Sequence, residues 1–276
     1  MTRPFDVNLF KDLLRTTWVG SEFIYIDKVD STNSYLKTIP SAEFRHGTIV
    51  LTDHQKKGRG QYEKTWEAAP CRNLTFTFGF RPPTGDRLSL LTLATATAIS
   101  NVLQGYTSEK IQIKWPNDLL VGDRKIGGIL TECVFNGPKP DRVIIGAGIN
   151  VFQRDFSTNL RIKAISLCDI TKLRLSREIL LSQILSEVEQ FYHRWHKFEI
   201  DLQREINQKL IGYGQWVNIT IYDKLQDHKF KFIGISDKGE LLMLNEQLDV
   251  NKFSYEQIRI IPGSKIISKG NTNIPA

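Results

Sequence analysis

The chain is 276 residues long, 41% hydrophobic and 24% charged, and its 37 Lys and Arg outnumber its 30 Asp and Glu for a formal charge of +7. That length suits one large domain, or a large one with a small companion, and the composition is that of a globular chain rather than a disordered one. No apolar run is long enough to cross a bilayer, and Met1-Thr2-Arg3-Pro4-Phe5-Asp6 lacks the apolar core of a signal peptide, which points away from membranes and towards the cytoplasm.

Read in chain order, Asn8 to Arg15 has helical spacing through Leu9, Phe10, Leu13 and Leu14. Phe23 to Ile26 reads as a strand, and Ser31 caps a short helix carrying Tyr35 and Leu36. Thr48 to Leu51 is a second strand, and Leu74 to Phe80 alternates Leu and Phe with Thr and Gly. Leu88 to Leu103 is a helix rich in Leu, Ala and Ile, long enough to cover one face of a sheet. Three strands follow over Ile111–Trp115, Ile126–Phe135 and Val143–Val151, the last two joined through Asn136-Gly137-Pro138. Arg177 to Phe198 is a second long helix with Leu180, Leu181, Ile184, Leu185, Val188 and Phe191 on its apolar face. From Trp216 the pattern changes to short alternating strands, with Asp237-Lys238-Gly239 as a turn. The reading is an α+β domain over 1–212 followed by a small β domain over 213–276. Cys71, Cys133 and Cys168 are scattered without metal-ligand spacing, in keeping with a reducing compartment.

Four stretches are richer in polar residues than a scaffold requires. Asp30-Ser31-Thr32-Asn33 is, by itself, a helix cap. Gln55 to Trp66 is a long loop in which Gly58, Arg59 and Gly60 let backbone N–H groups converge on a phosphate, with Arg59 and Lys64 supplying charge and Trp66 a flat apolar surface. It ends in no Gly-Lys-Ser/Thr, so it is not a Walker A motif, and Glu63 stands where a dinucleotide loop has its third glycine. Lys114-Trp115-Pro116-Asn117-Asp118 is followed by Lys125-Ile126-Gly127-Gly128-Ile129-Leu130. That pattern fits a charged surface hairpin or the wall of a site, and a Gly122-Asp123 turn would bring Asp118 and Lys125 opposite each other. Gly146-Ala147-Gly148-Ile149-Asn150 reads alone as a glycine-containing core strand.

Taken together and in this order, the four motifs resemble those of biotin protein ligases, from about Tyr25 through the C-terminal β module. The resemblance implies a mixed sheet with helices on one face, of the class II synthetase-like kind shared with lipoate ligases, plus an SH3-like C-terminal domain. It implies ATP-dependent formation of biotinyl-5′-AMP with Mg²⁺, then transfer of biotin to a lysine of a biotin carboxyl carrier domain. The biotin site would comprise Ser31, Thr32, Asn33, Gln55, Gly58, Arg59, Gly60, Gln61, Lys125, Gly128 and Gly146. The adenylate would meet Arg59, Gln61, Lys64, Trp66, Asn117, Asp118, Lys125, Gly148 and Asn150, and the metal ligands stay unassigned. Lys125 and Arg59 are the catalytic candidates, Lys125 neutralising charge shared by the biotin carboxylate and the α-phosphate.

The best-known bacterial loop reads Gly-Arg-Gly-Arg-Arg-Gly-Arg-x-Trp; here Gln61, Glu63 and Lys64 replace an arginine, a glycine and an arginine. Bifunctional members carry a winged helix-turn-helix before the Ser-Thr-Asn motif, whereas only thirty residues precede Ser31, so the resemblance implies a ligase without specific DNA binding. Monomer and homodimer are both open, with a sheet edge near Val143–Val151 as a candidate dimer surface. The competing readings are a lipoate or octanoate ligase on the same scaffold, a nucleic-acid-binding module, and a catalytically inert biotin sensor. The absence of an Arg-Arg-x-Ser-Gly-Gly-Gly loop and the presence of Lys-Trp-Pro-Asn-Asp favour biotin over lipoate.

Overall fold

A computed structural model describes residues 3–62, 64–82, 87–157 and 163–261; the Glu63 departure lies outside the described residues. The chain divides between Ile211 and Gly212 into two compact units. Elements of the first unit run in the order α1 (Val7–Leu13), β1 (Phe23–Val29), α2 (Thr32–Thr38), β2 (Ile49–Gln55), β3 (Leu74–Phe80), α3 (Leu88–Gln104), β4 (Ile111–Lys114), β5 (Asp118–Val121), β6 (Arg124–Asn136), β7 (Lys139–Ile149), α4 (Arg177–His196) and α5 (Ile200–Lys209). A 3₁₀ turn over Leu167–Asp169 precedes α4.

Seven strands form one sheet in the order β1-β2-β3-β7-β6-β5-β4. Only the β1–β2 pair is parallel, joined by the α2 crossover, and every other neighbour is antiparallel. β7 therefore sits between β3 and β6 with its Val143–Ile149 segment buried, and is a central strand. The expected sheet edge near Val143–Val151 is corrected accordingly: β1 and β4 are the edges, and both hydrogen-bonding sides of β7 are already taken.

The alternation of Leu74-Thr-Phe-Thr-Phe-Gly-Phe80 separates the two faces of the sheet. Phe76, Phe78 and Phe80 form a continuous row of rings, and Phe80 meets Tyr192 of α4 at 4.6 Å between centroids. Thr77 and Gly79 point the other way, Thr77 to Thr32 and Asn33 of α2 and Gly79 to Leu36 and Phe44. α3 is buried almost all round and lies on the Phe face, its Thr92 hydroxyl 2.7 Å from that of Thr131 on β6. The long helices thus occupy one face, as expected, while α2 lies on the other and leaves the rest of that face open. The short α5 is not among the elements read from the sequence, although its buried residues Leu202 and Ile206 stand at helical spacing.

The second unit is wholly antiparallel, with β8 (Trp216–Ile221), β9 (Lys224–Leu225), β10 (Phe230–Ile235), β11 (Leu241–Leu244), β12 (Val250–Phe253) and β13 (Ile258–Ile261). Its order is β12-β11-β10-β8-β13, with β9 beside β8, around a core of Ile219, Phe232, Leu241, Met243 and Ile258. This is the SH3-like module, and among the described residues β12 and β13 do not pair, so the sheet curls as an open half-barrel. No helix among the described residues is long and apolar enough to cross a membrane.

One buried ion pair fixes β2, the strand that ends at Gln55. Arg177 at the start of α4 lies 2.5 Å from Asp53, with both side chains at least nine-tenths buried. Asp53 also accepts the Phe5 backbone N–H at 2.8 Å and the Tyr25 hydroxyl at 2.6 Å. Burial, then the hydrogen bond to the Asp53 carboxylate, push the Tyr25 phenol far above its ordinary pKa, so it stays a donor. Breaking one side of such a pair leaves a buried charge uncompensated. Asp53→Ala is expected to lower stability in urea unfolding by about 3–5 kcal/mol. A loss under about 1 kcal/mol would contradict this anchor role.

Candidate active site

The open face of the sheet is floored by residues that leave little above the backbone. Thr75, Gly148, Gly128 and Asp118 face one another in a row across β3, β7, β6 and β5. Thr77, Gly146 and Leu130 form the next row. A Cβ on Gly146 would enter the Asn33 carboxamide, and one on Gly148 would enter the Trp66 indole. On Gly128 it would stand 3.1 Å from the Lys125 ammonium. Each glycine therefore seats a different polar or aromatic side chain directly on the sheet.

Around this floor the structure gathers Ser31, Thr32, Asn33, Gln55, Arg59, Gly60, Gln61, Lys64, Trp66, Asn117, Asp118, Lys125, Gly128, Gly146 and Gly148 into one cavity. Two of the residues named from the sequence stand behind its wall. Gly58 pairs with Trp66 at 3.0 Å, and a side chain there would strike the Trp66 carbonyl, so its role is to let the loop close. Asn150 donates to the Lys125 and Ile165 carbonyls at 3.4 and 3.2 Å, bracing the chain at Lys125, while its own Oδ1 is buried without a partner. Thr65, Thr75, Phe76, Ile129, Leu130 and Ala147 also line the cavity and are not among the site residues named from the sequence.

One end of the cavity is neutral and polar. Ser31 is the N-cap of α2, accepting from the Ser34 backbone N–H at 3.4 Å. Gln55 accepts from the Thr32 backbone and hydroxyl at 2.8 and 3.1 Å, which leaves its amide NH₂ as a donor. The Thr77 hydroxyl lies 2.6 Å from the Asn33 carbonyl oxygen, and the Asn33 NH₂ donates to the Leu130 carbonyl at 3.2 Å and to Glu132 at 2.9 Å. Asn33 is thus fully committed to holding α2 on the sheet.

The other end is cationic and aromatic. The glycine loop folds back on itself through a bridge between Arg59 and Thr65, with the Gly60 N–H bonded to the Lys64 carbonyl at 2.6 Å. It is a small clasp rather than the open loop that its composition implied. Lys125 lies 2.5 Å from Asp118 and 5.7 Å from the centre of the Trp66 ring. Asp118 pairs in register with Gly128, and Lys125 with Leu120; the β5–β6 ladder shift between Leu119 and Leu120 moves Asp118 from Gly127 to Gly128. The two side chains therefore meet diagonally; a Gly122-Asp123 turn sets Lys125 opposite Leu120, which corrects the expectation that it brings Asp118 and Lys125 directly opposite each other. Asn117 ties the approach to this hairpin through its side-chain bond to the Ile129 carbonyl at 2.7 Å. The Trp66 indole N–H is buried without a partner, an acceptor's place left open beside the cavity.

Gly148 tests this account of the floor. Gly148→Ala is expected to displace the Trp66 ring, raising acrylamide quenching of its fluorescence (assigned by comparison with Trp66→Phe) and costing about 1–3 kcal/mol of stability. Unchanged quenching would contradict the seating of Trp66 on Gly148.

The profile of the Biotin/lipoate A/B protein ligase family matches residues 25–150. The chain is 31% identical over 239 residues to the bifunctional ligase/repressor BirA of Bacillus subtilis, covering 83% of this chain and 71% of that protein. It is 25% identical over 227 residues to the biotin–[acetyl-CoA-carboxylase] ligase of Mycobacterium tuberculosis, covering 79% of this chain and 82% of that one. Among solved structures it is similar to the biotin protein ligase of Aquifex aeolicus in complex with biotin and ATP, with TM-score 0.74, 27% identity, and 87% and 100% of the two chains covered. Sequence and fold agree, and the chain belongs to the biotin protein ligases of the biotin/lipoate A/B protein ligase family.

Proposed function

We infer that the chain is an ATP-dependent biotin protein ligase. In the first half-reaction a biotin carboxylate oxygen attacks the α-phosphorus of ATP. The bond to the β-phosphate breaks, pyrophosphate leaves, and biotinyl-5′-AMP remains. In the second, a lysine amine of a biotin carboxyl carrier domain attacks the acyl carbon. The bond to the phosphate oxygen breaks, AMP leaves, and the amine gives up a proton as the amide forms.

The observation that carries this reading is the Lys125–Asp118 pair seated over Gly128, in the cavity that also holds Ser31, Thr32 and Gln55 and, from the clasp, Arg59 and Lys64. An apolar bicycle with a ureido edge suits the neutral end, where Ser31, Thr32 and the Gln55 NH₂ supply hydrogen-bonding groups. Phosphate suits the other end, with Arg59 and Lys64 in the clasp. Trp66 offers a ring face for adenine, and its unpartnered N–H supports a polar ligand beside it. Lys125 is the group at the meeting point, where carboxylate and α-phosphate combine and negative charge concentrates in the transition state. Holding both reactants on one rigid floor supplies much of the remaining rate enhancement.

Mg²⁺ enters in this reading with the triphosphate, whose oxygens supply ligands that a hard cation prefers. Among the described residues no group of three or more His, Cys, Asp or Glu could hold a metal by itself. The working partner is a carrier domain bearing the acceptor lysine, and the setting is cytoplasmic, in keeping with three free cysteines.

Biotin-dependent exchange of pyrophosphate into ATP tests the reading, run beside lipoate and octanoate. Exchange with biotin is expected, with Lys125→Ala lowering it by about a hundredfold or more, the scale of losing one preorganised charge at a reacting centre. Exchange with lipoate or octanoate in place of biotin would overturn the substrate, and full activity of Lys125→Ala would overturn its role.

A further inference from the structure

Glu132 takes no part in the chemistry above, yet its half-buried carboxylate collects three donors from two separate segments. Lys37 reaches Oε1 at 2.5 Å, while the Asn33 amide and an Arg59 N–H reach Oε2 at 2.9 and 2.7 Å. Lys37 and Asn33 belong to α2, Arg59 to the glycine clasp, and Glu132 to β6, two residues beyond Leu130 on the cavity face. Burial by itself would raise the pKa of Glu132, but the bonds from Lys37 and Asn33 and the charges of Lys37 and Arg59 outweigh it and hold the group below the usual range.

Two cations share this one carboxylate, so the cluster keeps a net positive charge to offer a phosphate. A guanidinium has five N–H groups, and the one spent on Glu132 leaves the rest of the fork for a ligand. The Arg59 side chain is 40% exposed and sits on a loop, where a tether such as the one to Glu132 limits its rotamers. The same carboxylate oxygen orients the Asn33 amide that lies on Gly146. One acid thus couples the polar end of the cavity to the cationic clasp.

We propose that Glu132 is a positioning residue that aims Arg59 at the phosphate of biotinyl-5′-AMP and holds the glycine clasp over the bound intermediate. This rests on the ligase reading above. A Gln at 132 still accepts from Asn33 and Arg59, but without the charge-assisted strength that restrains a mobile guanidinium.

The test compares the unaltered chain with Glu132→Gln and Glu132→Asp. It measures release of preformed biotinyl-5′-AMP, KM for ATP and kcat in pyrophosphate exchange, and the thermal midpoint of each variant. Glu132→Gln is expected to release the adenylate about tenfold faster and to raise KM for ATP by a similar factor, the scale of one charge-assisted contact, with a much smaller change in kcat. Glu132→Asp, which keeps the charge on a shorter stem, is expected to recover part of the retention. Release from Glu132→Gln within about twofold of the unaltered chain would overturn the proposal. So would equal losses in kcat and KM that track a fall in thermal midpoint, since that is the mark of a merely structural contact. Absence of biotin-dependent exchange by the unaltered chain would instead overturn the ligase reading itself, so the two failures are distinguishable.

Discussion

Everything at the site depends on three positions where the sheet carries no side chain. Gly128, Gly146 and Gly148 lie close together on β6 and β7, and each is covered by a side chain: Lys125 of the same strand β6, Asn33 of α2 and Trp66 of the clasp. The requirement at these glycines is close approach rather than unusual backbone torsion. A methyl at Gly146 or Gly148 would strike Asn33 or Trp66, while one at Gly128 would crowd the end of the Lys125 side chain at 3.1 Å. That is how one floor can align a helix, a clasp and a hairpin that are far apart in sequence.

The opposite face of the same strands supplies the rigidity. β3 presents Phe76, Phe78 and Phe80 to the α3 and α4 side and Thr75 and Thr77 to the site, so a single alternation builds the core and the cavity together. Asp53 on β2 is locked beneath α4 by Arg177, and Gln55 lies two residues further along the strand. Buried polar groups of this kind are fully satisfied and hold a unique arrangement. Groups on the cavity side are left with spare capacity, as at the Gln55 NH₂ and the Trp66 N–H.

Much of this could be read from residue order. The long helices, the two-faced strand Leu74–Phe80 and the change to short strands after Gly214 follow from hydrophobic period alone. The residues around the cavity were legible through the order of four motifs and their resemblance to a known family, since Asp30–Asn33 and Gly146–Asn150 each read alone as scaffold. What was not legible depends on register and order. The expectation that Lys125 faces Asp118 directly fails on register: a Gly122-Asp123 turn sets Lys125 opposite Leu120, and the ladder shift between Leu119 and Leu120, which no local pattern marks, moves Asp118 from Gly127 to Gly128. β7 became the centre of the sheet because β3 pairs with it across a long sequence interval, which composition does not encode. Glu132 and the clasp bridge between Arg59 and Thr65 escaped for the same reason, since their meaning comes only from what the fold brings beside them.

Charge distribution joins these parts. The chain is basic overall, and Lys125 and Arg59 at the cavity are each paired with one carboxylate, Asp118 and Glu132. Such pairs hold cations in place without cancelling their reach towards a phosphate, because each keeps unused N–H groups. The most direct measurement of the central claim is a crystal structure of the chain grown with biotinyl-5′-AMP. The account predicts the adenylate lying along the Gly128–Gly146–Gly148 floor, with the Lys125 ammonium within hydrogen-bond reach of its phosphate. An adenylate bound away from those glycines, or one with Lys125 out of reach of its phosphate, would contradict it.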